Sequence, residues 1–124
     1  MLAQHTVLVI DDELGPREAL RMILQAGYRV LLAAEGEQAV RLVEQEPVDV
    51  VLLDLHMPGL SGMRLLEKIK AINPAIVVIV VTAYASEDAV LEGARLCVFE
   101  YIFKPFPVAH VRETVGRAVA QQSQ

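Results

Sequence analysis

Four places in the chain carry groups that could do chemistry, and each stands at the end of a short apolar run. Asp11, Asp12 and Glu13 follow Val7 to Ile10, Asp54 follows Val48 to Leu53, Thr82 follows Ile76 to Val81, and Lys104 stands between Phe103 and Pro105. Singly, each has a plain explanation: Asp makes turns, Thr favours strands and Lys is usually solvated. Jointly they are complementary in charge, with carboxylates, a hydroxyl and an ammonium group. Three converging carboxylates would repel one another and raise their own pKa values unless a cation neutralised them. Few ligands, all of them oxygen, point to Mg²⁺ (or Mn²⁺), which keeps several waters, rather than to an enclosed Ca²⁺ site. Such an ion leaves room for a phosphoryl group, whose oxygens Lys104 and Thr82 could stabilise during transfer.

The elements that must bring these groups together can be read from hydrophobic period. Runs of Val, Ile and Leu recur at Val7 to Ile10, Tyr28 to Leu32, Val48 to Leu53, Ile76 to Val81 and Phe99 to Phe103. Apart from Asp49, the middle runs are continuously apolar, as expected of parallel strands covered on both faces. Helical stripes lie between them: Leu20, Ile23 and Leu24; Ala39, Val40 and Val43; Leu65, Leu66 and Ile69; and finally Val108, Val111, Val115 and Val119. Pro16 suits a first helical turn and Gly27 a C-terminal stop. Ser86 is a candidate N-cap for a helix over Ala89 to Arg95, the weakest of the five because Gly93 lies inside it. The order is (βα)₅, an α/β doubly wound parallel five-stranded sheet with right-handed crossovers. In such sheets ligands sit outside the carboxyl ends of the strands, where those four places would meet.

Composition narrows the classes. The chain has 124 residues, 54% hydrophobic, and a formal net charge of −5. One domain is expected, spanning residues 1–120, with 121–124 as a tail or the start of a linker. Cys97 is the only cysteine, so no internal disulfide can form, and it reads as a small packing residue. The longest apolar stretch, Ala75 to Val81, is far short of the roughly 20 residues of a membrane helix. The N-terminus has no basic region or small-residue cleavage site, so a cytoplasmic location is expected. With no Lys/Arg cluster, direct nucleic-acid binding is not expected. His5, His56 and His110 lack metal-site spacing, which argues against zinc.

As a set, Val7-Leu8-Val9-Ile10-Asp11-Asp12-Glu13, Asp54-Leu55-His56-Met57-Pro58-Gly59, Val81-Thr82-Ala83 and Phe103-Lys104-Pro105-Phe106 resemble the receiver domain of two-component response regulators. The resemblance covers almost the whole chain. It implies a flavodoxin-like fold with strand order 2-1-3-4-5, and Asp54 as phosphoacceptor from the phosphohistidine of a sensor histidine kinase. It further implies Mg²⁺ ligation by Asp12 directly, Asp11 mainly through water, Asp54, and the backbone carbonyl of His56, whose imidazole is not a ligand. Lys104 would pair with the phosphoryl oxygens, and Thr82 and the Ala83 N–H would donate to them. Tyr101 matches an aromatic switch position, and a cis peptide is expected between Lys104 and Pro105. The domain would catalyse its own phosphorylation and slow dephosphorylation without being a classical enzyme.

Further expectations follow from the same comparison. Thr82 and Tyr101 would switch the 84–103 face, with a homodimer on phosphorylation as the readout. The segments around Glu18-Ala19-Leu20 and Thr82-Ala83-Tyr84 resemble receivers at the N-termini of transcriptional activators, which implies a C-terminal output domain unless the receiver stands alone. Pro58-Gly59 suits the centre of a type II turn. Cys97-Val98-Phe99 departs from the Gly-Ala-Phe found in many receivers, so that turn is expected to differ in backbone conformation. Among other readings, a haloacid-dehalogenase-type phosphatase needs a second Asp where His56 stands, and a flavodoxin's FMN phosphate would be repelled by Asp11-Asp12-Glu13. The main alternative is a docking or dimerisation module of receiver fold that works without phosphorylation.

Overall fold

The computed structural model describes residues 4–57, 59 and 61–122. Strands and helices alternate: β1 (Thr6–Ile10), α1 (Leu14–Leu24), β2 (Arg29–Ala33), α2 (Gly36–Gln45), β3 (Val50–Leu53), α3 (Gly62–Ile72), β4 (Val77–Thr82), α4 (Glu87–Arg95), β5 (Glu100–Phe103) and α5 (Val108–Gln122). All four strand pairings are parallel and the order is β2-β1-β3-β4-β5, as expected. Every residue of β1, β3 and β4 is buried, which explains why they are apolar apart from Thr6 and Thr82 at their ends, while the edge strands β2 and β5 are only partly covered.

Alternation along each strand divides the core in two. Val7 and Val9 face the α1 and α5 side, against Leu20, Leu24, Val111 and Val115. Leu8 and Ile10 face α2 and α3, against Ala39, Val43, Leu65 and Ile69. Each fully buried Leu or Ile stabilises the fold by about 1.5–3 kcal/mol relative to exposure. α4 contributes little here, since Gly93 is its only buried residue among those described.

Several local expectations need correction. Gly27 does not stop α1 through a left-handed turn: the helix ends at Leu24, and the Gly27 and Tyr28 N–H groups both donate to the Leu24 carbonyl. Tyr28 therefore belongs to the helix exit and not to β2. Val48 precedes β3, because the Asp49 carboxylate accepts from the Thr6 N–H at 2.8 Å and anchors the approach to the strand. α5 continues through Gln121 and Gln122, so the helix takes in two residues of the expected tail. Cys97 is exposed rather than packed. Its φ of +62° is a left-handed conformation that glycine adopts most readily, so the turn keeps a glycine-like backbone despite the different residue.

Strand pairing runs one residue past the strands and thereby fixes the site. The Asp11 N–H donates to Ala33 O at 3.1 Å, Asp54 N–H to Ile10 O at 3.0 Å, and Lys104 N–H to Thr82 O at 2.9 Å. Two aspartates, a threonine and a lysine are thus held at neighbouring positions on one sheet edge by backbone geometry alone.

Candidate functional site

Asp11 and Asp54 are only 1% and 4% exposed at that edge, and one carboxylate oxygen from each of Asp11, Asp12 and Asp54 lies within 4.8 Å of the others. Lys104 neutralises part of this charge. Its Nζ donates to Asp11 Oδ2 at 2.8 Å and Asp54 Oδ2 at 3.0 Å, with Glu13 Oε1 at 3.8 Å. Burial alone would lower the Lys104 pKa, but the hydrogen bonds and attraction of Asp11 and Asp54 outweigh it and hold the ammonium above the ordinary lysine value. One ammonium against three carboxylates leaves two negative charges unbalanced. An all-oxygen donor set with that deficit fits a hard divalent cation such as Mg²⁺.

Asp54 is oriented by its second oxygen. Oδ1 accepts from the His56 N–H at 3.0 Å and from the Thr82 hydroxyl at 3.3 Å, so Oδ2, on Lys104, is the oxygen facing the acidic cluster. Thr82 is fully buried, and its hydroxyl also reaches the Tyr84 carbonyl at 3.2 Å. A hydroxyl has one hydrogen to donate, so these two acceptors share it. The His56 imidazole is engaged by Tyr84: its Nε2 lies 2.6 Å from the same Tyr84 carbonyl and its ring stacks on Tyr84. Ala83 is exposed, leaving its backbone open to approach.

Tyr101 lies apart from the acidic cluster. It is half-buried, stacks on Phe103, and its hydroxyl donates to the Ala89 carbonyl of α4 at 3.4 Å; burial pushes its pKa up. Ser86 caps α4 as expected, accepting from the Ala89 N–H at 3.1 Å. The Lys104–Pro105 peptide is cis. Gly59 has a φ of +88°, as the third residue of a type II turn requires, while Pro58 lies outside the described residues.

Two participants escaped the sequence reading. Arg17, one turn into α1, donates from Nη1 to the Asp11 carbonyl at 2.8 Å and pins the acidic loop to the helix. The Tyr84 carbonyl gathers both Thr82 and His56. A side chain reaching back six residues has only its spacing as a signal, and a backbone acceptor has none.

Comparison with known proteins gives this geometry a family. Residues 7–116 match the response regulator receiver domain. Sporulation initiation phosphotransferase F of Bacillus subtilis is 35% identical over 123 residues, covering 98% of this chain and 99% of that protein. The hydrogenase transcriptional regulatory protein HoxA of Cupriavidus necator is 38% identical over 120 residues, and this chain spans only 25% of its length. Among solved structures, a receiver domain protein (CheY-like) from Methanospirillum hungatei superposes with a TM-score of 0.94 at 27% identity, covering 98% of both chains. One from Clostridium thermocellum reaches 0.87 at 31% identity, covering 96% of this chain and 97% of that one. Matched along nearly its whole length and carrying the acidic cluster, the hydroxyl and the ammonium at one sheet edge, the chain belongs to the response regulator receiver family.

Proposed function

We propose that Asp54 is the phosphoacceptor of this receiver and that the chain relays a signal from a sensor histidine kinase. The observation that carries the reading is the environment of Asp54: a buried carboxylate held by Lys104, Thr82 and the His56 N–H beside two further carboxylates. In the step, an Asp54 carboxylate oxygen attacks the phosphorus of a phosphohistidine. The P–N bond breaks with its electron pair returning to the imidazole nitrogen, and an acyl phosphate forms.

Asp11, Asp12, Asp54 and the His56 carbonyl are the residues that would hold Mg²⁺ (or Mn²⁺), which when bound supplies positive charge to the phosphoryl oxygens. Lys104 adds a second positive charge from the β5 side. Thr82 turns its single hydroxyl hydrogen toward the new oxygens, and Ala83 offers its N–H. His56 keeps the Tyr84 carbonyl paired while Thr82 turns. The altered contacts of Thr82 then bias Tyr101 and the 84–103 face, favouring a homodimer.

The named roles of the relatives, transcriptional regulation for HoxA and phosphotransfer for the sporulation protein, support this reading and a cytoplasmic site of action. Because the chain spans about a quarter of the length of HoxA, we propose that residues 1–120 act as receiver for a C-terminal output domain. Among the described residues no helix is long and apolar enough to cross a membrane.

Incubation with Mg²⁺ and a small acyl phosphate, followed by intact-mass measurement, tests the assignment. One added phosphoryl group on the wild type and none on Asp54→Asn is expected. Equal labelling of both overturns Asp54, and labelling of neither favours a docking module.

A further inference from the structure

α4 is the helix least bound to the rest of the molecule, and its one buried residue is the one without a side chain. A β-carbon built on Gly93 would overlap the Tyr101 hydroxyl oxygen, with Tyr101 Cζ at 3.3 Å and Val98 Cγ2 at 3.1 Å. The phenol therefore lies end-on against the backbone of α4, in space that any other residue at position 93 would fill. One turn earlier the same hydroxyl donates to the Ala89 carbonyl at 3.4 Å. The remaining ties are of a different kind: Val98 N–H donates to the Gly93 carbonyl at 2.8 Å at the helix exit, and Arg95 reaches Glu67 of α3 at 3.5 Å on an exposed surface.

Glycine is a poor helix residue, so its presence inside a nine-residue helix calls for a compensating contact. The Tyr101 phenol is that contact. We propose that Gly93 is the seat of Tyr101: the missing side chain lets the phenol rest on α4 and tie that helix to β5, so that Tyr101 and α4 leave their resting positions together. On this view Gly93 is a positioning residue that sets how strongly the resting state is held. Its link to phosphorylation rests on the function proposed above, whereas the seat itself does not.

Thermal unfolding of four proteins separates the two. Gly93→Ala in the wild type should lower the melting temperature, because the added methyl meets the phenol. In a Tyr101→Ala background the same substitution should raise it, because alanine is the better helix former once the phenol is gone. That reversal of sign is the expected result; the same sign in both backgrounds overturns the seat. Should Gly93→Ala not fold, recovery of the fold by adding Tyr101→Ala counts in favour, and a double variant that also fails to fold counts against.

Two functional readouts follow. Amide exchange over residues 87–95 of unphosphorylated Gly93→Ala should be at least tenfold faster than in the wild type, and unchanged exchange overturns the coupling of Tyr101 to α4. With Mg²⁺ and a small acyl phosphate, Gly93→Ala should be labelled faster than the wild type, and equal rates overturn the link to phosphorylation. If the wild type takes no label at all, the phosphoacceptor assignment fails while the thermal sign reversal still reports on the seat.

Discussion

Lys104 is the residue that offsets part of the negative charge of the site, since its ammonium pairs with two nearly inaccessible carboxylates. Replacing it by Met leaves the Oδ2 atoms of Asp11 and Asp54 without their donor, and removing one partner of a buried ion pair costs roughly 3–5 kcal/mol. Lys104→Met is expected to unfold at lower urea concentration than the wild type, with Mg²⁺ recovering part of the loss; equal midpoints would refute the pairing as a source of stability. Thr114 presents the opposite case. It is fully buried on α5, and its hydroxyl has no hydrogen-bond partner among the described residues. Thr114→Val keeps the shape and removes the orphaned group, so a gain of about 1 kcal/mol is expected in denaturant unfolding. Tyr101 offers a titration. Its pKa is raised by burial, so the folded state holds the phenolic proton more tightly than the unfolded one. The corresponding stability is present below the unfolded tyrosine value of about 10 and is lost as pH rises through the folded one. Phenolate absorbance should show a late component that Tyr101→Phe abolishes. At this scale the site was legible wherever a functional side chain ends a strand, because chain order then fixes its place. Arg17 and the Tyr84 carbonyl were not, because they act across turns whose path no periodicity records.

Among the elements, the strands announced themselves because burial on both faces leaves β1, β3 and β4 apolar except for the buried threonines Thr6 and Thr82 at their ends. Their ends were less legible. Asp49 anchors the approach to β3 through its side chain, and α1 finishes on paired bonds from Gly27 and Tyr28 to one carbonyl rather than on a left-handed glycine. The glycines show best why composition alone misleads. Gly93 reads as a weak point in a helix and is a contact surface. Gly62, the first residue of α3, would bring a β-carbon within 2.6 Å of Leu55 Cα and 2.9 Å of the Leu55 carbonyl. Leu55 directly follows Asp54, and its backbone cannot move aside cheaply. Gly62→Ala is therefore expected to cost about 1–3 kcal/mol and to slow phosphorylation of Asp54. Unfolding midpoints and labelling rates measured together check this, and a variant normal in both would show that α3 does not set the position of the proposed phosphoacceptor.

For the molecule as a whole, stability and ligation are linked through the acidic edge. A cation bound only by the folded chain stabilises it by about 2.7 kcal/mol at a hundredfold excess over its dissociation constant. Mg²⁺ should therefore raise the melting temperature of the wild type. In Asp12→Ala that increment should shrink, while the metal-free protein is no less stable than wild type because one repelling charge is gone. A metal-free Asp12→Ala that melts earlier would show that the cluster is not strained. The parallel sheet also separates the ends of each strand, and this bears on the one thiol in the chain. Cys97 sits in the turn between α4 and β5, exposed, at the edge opposite Lys104 and roughly 15–20 Å from it along the strand. A fluorophore or nitroxide coupled there would be a native, single-site reporter on the very turn that joins Gly93 to Tyr101, far enough from the carboxylates to leave their chemistry alone.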